Sequence, residues 1–219
     1  MSEFKPTDLN GMYKERPQKA NYAGVYKPES FWDEYGKIYI STFNGKFDLN
    51  TQHLLARIDK TEPESVLEVG CGFGRNLPYI AEGMKSIKRL VGLEFSKTML
   101  ERSKYYFKAF EKQYPIIELV NANAKELPFK DDEFDTVYTH VCLTHIPPKD
   151  IPKVTSEISR VAKKWIVHIE RWNFLYEHPN NHRWSHCLPP FYLDKGWELW
   201  ENDIIHIAHC TNAIVFKKI

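Results

Sequence analysis

"SVLEVGCGFGRNLPYI", Ser65 to Ile80, sets three glycines within five residues, directly behind a short apolar run and ahead of a stretch that reads as a helix. Backbone N–H groups at a helix start suit an anion, and a phosphate is the first ligand to test against this turn. Glu68 opposes it, because it ends the strand two residues before Gly70. The dinucleotide fingerprint G-x-G-x-x-G also fails here, since its third glycine would fall at Arg75. What stands instead is E-x-G-x-G-x-G: Glu68, Gly70, Gly72 and Gly74. Glycine permits positive φ and lets a ligand approach without meeting a Cβ. A close turn beside a carboxylate favours a ligand that carries positive charge.

Working outward, strands and helices alternate from Ser65 onward. The strand candidates are "SVLEV", "RLVGLEF", "IIELVNA", "FDTVYTHV" and "WIVHIE", each short and apolar. Helical stretches fall between them at Asn76 to Glu82, Ser96 to Tyr114 and Lys149 to Lys163. This alternation predicts an α/β fold, a doubly wound parallel sheet with helices on both faces. After Glu170 an aromatic, His-rich insertion leads to a short helix near Pro189 to Lys195. The tail "GWELWENDIIHIAHCTNAIVFKKI" reads as two strands joined by a tight connection around Thr211 and Asn212. The expectation is a mostly parallel seven-stranded sheet with an antiparallel last strand.

Bulk properties narrow the function. A chain of 219 residues suits one domain, divided as follows: an irregular arm at 1–28, an N-terminal helical cap at 29–60, a core at 65–170, an insertion at 171–196 and a hairpin at 197–219. The net charge of +1 gives no global field to gather nucleic acid or anionic lipid. No apolar run approaches the roughly 20 residues of a membrane span, and the N-terminal stretch lacks the apolar core of a secretory signal. Cys71, Cys142, Cys187 and Cys210 are too sparse for a disulfide framework. The expected setting is cytoplasmic, with neither a membrane nor a nucleic acid as partner; the oligomeric state is not legible.

Further motifs follow the glycine turn in order. Twenty residues past Gly74, "VGLEFSKTML" places Glu94 at a strand end, where a carboxylate can accept both hydrogen bonds of a ribose diol. "NANAKELPFKDDEFD" and "FDTVYTHVCLTHIPP" come next. S-adenosylmethionine satisfies both the turn and Glu68, having a sulfonium, an ammonium and a carboxylate but no phosphate. With these residues in this order, the chain resembles the class I S-adenosylmethionine-dependent methyltransferases over about Ser65 to Glu170. The resemblance implies that family's fold and cofactor, with S-adenosylhomocysteine as product. It implies cofactor contacts from Glu68, Gly70, Cys71, Gly72, Gly74, Glu94, Phe95, Asn123, Ala124 and His140. Asn123 stands where the family's G-D-A-x-x-L-P-F segment has Asp.

On the acceptor side, Trp32, Tyr35 and Tyr39 lie at helical spacing and read either as core contacts or as a lid. Glu170, Arg171 and Trp172 end the fifth strand and join them as acceptor-facing candidates. That mixture of rings and polar groups suits a small molecule. His145, after the fourth strand, is the candidate base, because an unperturbed histidine titrates near 6.5; Glu170 is the substitute. His178, His182 and His186 recur every four residues, but Pro179 opposes a helix there, and no metal is expected. The expected activity is methyl transfer to an O or N atom of a small molecule. Alternatives are a nucleic-acid or protein methyltransferase, an aminopropyl transferase, or a binding protein on the same fold. Against the nucleic-acid reading, "THVC" (Thr139 to Cys142) occupies the place of an N-P-P-Y motif.

Overall fold

The computed structural model describes residues 27, 28, 31–34, 47–108, 116–171, 183–206 and 211–219. Among the described residues seven strands run in chain order: β1 Ser65–Val69, β2 Arg89–Glu94, β3 Ile117–Asn121, β4 Phe134–His140, β5 Ala162–Arg171, β6 Trp197–His206 and β7 Thr211–Lys218. The helices are α1 Leu49–Lys60, α2 Leu77–Gly83, α3 Lys97–Lys108 and α4 Ile151–Val161, and a helical stretch occupies 31–34. They form one sheet of order β3-β2-β1-β4-β5-β7-β6. Strands β1 to β5 pair in parallel, and β7 lies antiparallel to both β5 and β6. The expected seven-stranded, doubly wound sheet is therefore present.

Period-2 alternation explains why both faces are covered. Leu67 and Val69 enter one core with Val91, Val137 and Ile166, packed beneath Ile151, Val154 and Ile158 of α4. Those α4 positions recur at three- and four-residue spacing, one stripe of a helix. Val66, Leu90, Tyr138 and Val167 enter the other core under Leu54 and Ile58 of α1 and Leu77 and Ile80 of α2. Every residue of β4 is buried, as expected of a central parallel strand. The chain turns outward in opposite directions from β1 and β4, so the crevice above their C-terminal ends is the ligand position for an open α/β sheet.

Three boundaries differ from the sequence reading. α4 stops at Val161, and Ala162 already pairs with Phe134, so β5 is three residues longer at its start than the "WIVHIE" run showed. The helix near Pro189 is two 3-10 turns, Pro189–Phe191 and Leu193–Lys195, ended by Gly196 at φ 80°. Thr211 and Asn212 are not a connection. Both are buried in β7, where Asn212 pairs with Glu170 on one side and Ile204 on the other, so two-sided pairing overrides the turn tendency of Asn. The link at 207–210 lies outside the described residues.

Asp135 fastens the start of the sheet. Its Oδ2 accepts from the Glu64 and Ser65 N–H groups at 3.1 and 3.3 Å, and Lys164 pairs with its Oδ1 at 2.8 Å. Burial opposes its charge, yet Lys164 and the two N–H groups together hold the carboxyl below the usual range. Asp135→Asn is expected to cost about 1–3 kcal/mol in urea unfolding at pH 7. The folded carboxyl titrates lower than the unfolded one, so this contribution is complete above the ordinary 3.8 and is lost as pH falls through the folded value. The two proteins should converge in acid; equal stability at pH 7 would contradict the role.

Candidate functional site

The glycine turn is built by backbone bonds to the neighbouring strand. The Gly70 and Cys71 N–H groups both donate to the Leu93 carbonyl, at 2.8 and 3.0 Å, which folds the turn back over the end of β2. Gly70 has φ 75°, and a Cβ there would stand 2.2 Å from Cys142 Sγ, so glycine lets the loop after β4 pass. Gly72 differs. Its φ is 58°, and a Cβ would meet nothing within 4 Å. Its N–H donates to Glu94 Oε2 at 3.0 Å, while Glu94 Oε1 accepts from the Ser96 N–H at 2.9 Å. Glu94 is buried, which pushes its carboxyl up from the ordinary value against those N–H bonds. Asn121 supports the same corner by donating to the Glu94 and Phe95 carbonyls at 2.9 and 2.8 Å.

Glu68 is only 1% exposed and reaches the crevice through others. Its oxygens accept from Asn76 Nδ2 at 2.8 Å and from the Tyr138 hydroxyl at 2.7 Å. The second Asn76 N–H reaches His140 Nδ1 at 3.0 Å, where Arg75 also donates at 3.2 Å. Burial, with the Arg75 guanidinium alongside, lowers His140 to about 3, so the ring is neutral. Nδ1 then accepts and Nε2 carries the proton. That buried N–H has no partner among the described residues. Arg75 is held from its other side by Asp48, which also caps α1 by accepting from the Thr51 N–H. Asn76 precedes α2 without capping it by its side chain, because its amide is committed to Glu68 and His140.

Beyond β4, Val141 takes φ 53° and Leu143–His145 forms a 3-10 turn. His145 is half-buried and stands edge-on to Trp32, with ring centroids 4.8 Å apart. The structure thus brings together the candidate base and the first residue of the aromatic cap. Tyr35, Tyr39 and Trp172 lie outside the described residues, as do His178 and His182. His186 is lowered to about 4 by burial and contacts the Ile146 carbonyl at 2.9 Å. Among the described residues no cluster could hold a metal ion.

Two acceptor- and cofactor-side residues make their hydrogen bonds within the protein. Glu170 turns its carboxylate onto the loop after β4, where Oε1 accepts from the Thr139 hydroxyl and the Cys142 and Leu143 N–H groups and Oε2 from the Thr144 N–H. Asn123 is exposed and spends its Oδ1 on the Lys125 N–H at 2.9 Å, a local turn bond, with half-buried Ala124 between them. Arg171 is half-buried at the end of β5 opposite Thr211. Sequence reasoning missed Asn76, Tyr138, Ser96 and Asn121. Only Asn76 carried a local signal, as a polar residue at a helix start.

Glycine turn, strand-end acid and the loop after β4 meet at one corner of the sheet, and residues 66–164 match a family model described as "Methyltransferase domain". The match over 66–164 is to a methyltransferase domain, and the fold is that of the class I methyltransferases. Demethylmenaquinone methyltransferase of Oceanobacillus iheyensis is 34% identical over 109 residues, 50% of this chain and 44% of that protein. Phosphatidylethanolamine N-methyltransferase of Cereibacter sphaeroides is 34% identical over 99 residues, 45% of each. The chain thus matches less than half the length of these relatives. The magnesium protoporphyrin IX methyltransferase of Synechocystis, solved with S-adenosylmethionine bound, shares the fold at a TM-score of 0.67 and 12% identity, over 90% of this chain and 99% of that one.

Glu68 is buried so fully that burial raises its carboxyl from 4.5 to about 7, against the Tyr138 and Asn76 bonds. Folding therefore favours the protonated form. The associated stability is complete below 4.5 and is lost as pH rises through 7. Relative to Glu68→Gln, the wild type should lose on the order of 3 kcal/mol between those limits. Urea titrations across pH check this, and a pH-independent difference between the two proteins would refute it.

Proposed function

We propose that this chain transfers a methyl group from S-adenosylmethionine to an oxygen or nitrogen atom of a small-molecule acceptor in the cytoplasm, releasing S-adenosylhomocysteine. One observation carries the reading: Gly72 is locked to the Glu94 carboxylate by its N–H, while the space its missing Cβ leaves is open. The residues present fit the cofactor. Each Glu94 oxygen accepts one backbone N–H and retains a lone pair, so the two together could take a ribose diol. Gly70, Cys71, Gly72 and Gly74 would line its approach, with Phe95 beside Glu94. Asn123 and Ala124 would address the adenine. The His140 N–H, without a partner among the described residues, is a donor at the same edge, and Glu68 orders it through Asn76.

When bound, the cofactor supplies an electrophilic methyl carbon on a sulfonium. The chain's own residues must orient the acceptor and exclude water. Trp32 and Arg171, with Tyr35, Tyr39 and Trp172, would form the acceptor wall. His145 would take the proton of a hydroxyl acceptor at its imidazole. The named relatives, acting on demethylmenaquinone and phosphatidylethanolamine, support a small-molecule acceptor. No described helix is long and apolar enough to cross a membrane.

Gly72→Ala tests the cofactor part. The added methyl meets no protein atom, so the fold should lose only the left-handed backbone cost, roughly 1–2 kcal/mol. S-adenosylhomocysteine affinity measured by calorimetry should fall by at least about tenfold, or 1.4 kcal/mol; unchanged affinity would contradict the placement. Incubation with S-adenosylmethionine carrying an isotopically labelled methyl, plus cell extract, should yield a labelled small molecule by mass. Label recovered only in protein or nucleic acid would overturn the acceptor class. With a hydroxyl acceptor, His145→Ala should lower kcat by roughly 10² to 10⁴ at nearly constant cofactor affinity. A near wild-type kcat would remove His145 and favour an amine acceptor, which needs only positioning.

A further inference from the structure

Glu170 ends β5 at 4% exposure, and four donors converge on it. Oε1 accepts from the Thr139 hydroxyl at 2.8 Å and from the Cys142 and Leu143 N–H groups at 2.9 and 3.0 Å. Oε2 accepts from the Thr144 N–H at 3.2 Å. Three successive backbone N–H groups turned to one carboxylate make an anion-binding concavity, here filled by the protein itself. Behind Thr139 the chain continues: Thr139 Oγ1 lies 2.8 Å from His168 Nδ1, and His168 Nε2 lies 3.0 Å from the Tyr192 hydroxyl.

The proton positions follow from counting. Thr139 gives its only hydroxyl proton to Glu170, so it must accept from His168, and Nδ1 holds a proton. Burial keeps His168 neutral. Its Nε2 is then an acceptor, and Tyr192 donates to it. Every proton from Tyr192 through His168 and Thr139 points toward Glu170, and bonds of one polarity strengthen each other in a buried chain. On the far side, Thr144 grips the next segment twice. Its carbonyl accepts the Trp184 N–H at 2.8 Å and its hydroxyl donates to the Trp184 carbonyl at 3.0 Å. His145 follows immediately. Val141, a β-branched residue at φ 53°, begins this loop, a conformation that surrounding contacts must hold.

We propose that Glu170 is the positioning residue of the acceptor side: its carboxylate, fixed by the Tyr192–His168–Thr139 chain, sets the 142–144 loop and through Thr144 the Trp184 segment. The proposal rests on the reading of this loop as the acceptor wall. Glu170 touches no substrate in this role. It fixes where His145 and the segment around Trp184 stand.

Amide exchange on the full chain without ligand tests it, comparing wild type, Glu170→Gln and the milder Thr139→Val. Glu170→Gln should speed exchange at Cys142 to Thr144 and Trp184 by at least about tenfold, while amides of β1, β4 and β5 keep their protection. Thr139→Val should give a smaller change at the same amides. Histidine nitrogen shifts should place the wild-type His168 proton on Nδ1, and Thr139→Val should abolish that preference. In the labelled-methyl assay Glu170→Gln should lose about tenfold or more in product formation at S-adenosylhomocysteine affinity within about threefold of wild type. Wild-type exchange at the loop in both variants, or acceleration spread evenly over the sheet, would overturn the proposal. Exchange is read without ligand, so this result is separate from the cofactor reading, which a failure of the wild type to bind S-adenosylhomocysteine would contradict by itself.

Discussion

Glu94 accepts the Gly72 N–H with one oxygen and the Ser96 N–H with the other, so the turn after β1 and the turn after β2 share a single carboxylate. The chain has little freedom around that point. Gly70 and Cys71 are already bonded to the Leu93 carbonyl, and Asn121 of β3 closes the corner from the other side. A left-handed Gly72 is the geometry that lets its N–H meet Glu94 while leaving open space on its Cα. Removing the carboxylate would leave the buried Ser96 N–H and the part-buried Gly72 N–H without this acceptor, a cost larger than the bonds' net contribution.

Buried acids recur along the carboxyl edge of the sheet. Glu68, Glu94 and Glu170 end β1, β2 and β5, and their hydrogen bonds come from backbone N–H groups, hydroxyls and an amide. Such donors hold an anion without cancelling its charge, and burial raises all three carboxyls. A ligand with sulfonium and ammonium groups near Glu68 and Glu94 would favour the ionised form that burial opposes. Glu170 is enclosed by its own loop, and its charge orders protein instead of meeting a ligand.

Much of this was legible in the chain. The strand segments were short apolar runs between turn residues, and β1 was bounded correctly because Gly70 must leave the strand. Gly70, Gly72 and Gly74 all adopt positive φ, as their spacing implied. Long-range partners were hidden, since Tyr138 and Asn212 meet Glu68 and Glu170 only after the strands are ordered. The orientation of Glu170 was not legible for the same reason: a strand-end acid can face the crevice or fold back onto the adjacent loop. That choice depends on where the N–H groups of 142–144 point, which is set by left-handed Val141, a residue with no sequence preference for that conformation. The β6–β7 link was misplaced because turn propensity at Asn212 yielded to pairing on both sides.

The central claim is that the Gly72 and Glu94 corner is the cofactor cradle. Backbone amide resonances followed during titration with S-adenosylhomocysteine test it most directly. The account predicts saturable shifts concentrated at Gly70 to Gly74, at Phe95 and Ser96, and at Asn123 to Lys125. Saturable shifts elsewhere in the sheet with the Gly72 and Ser96 amides unmoved would contradict it.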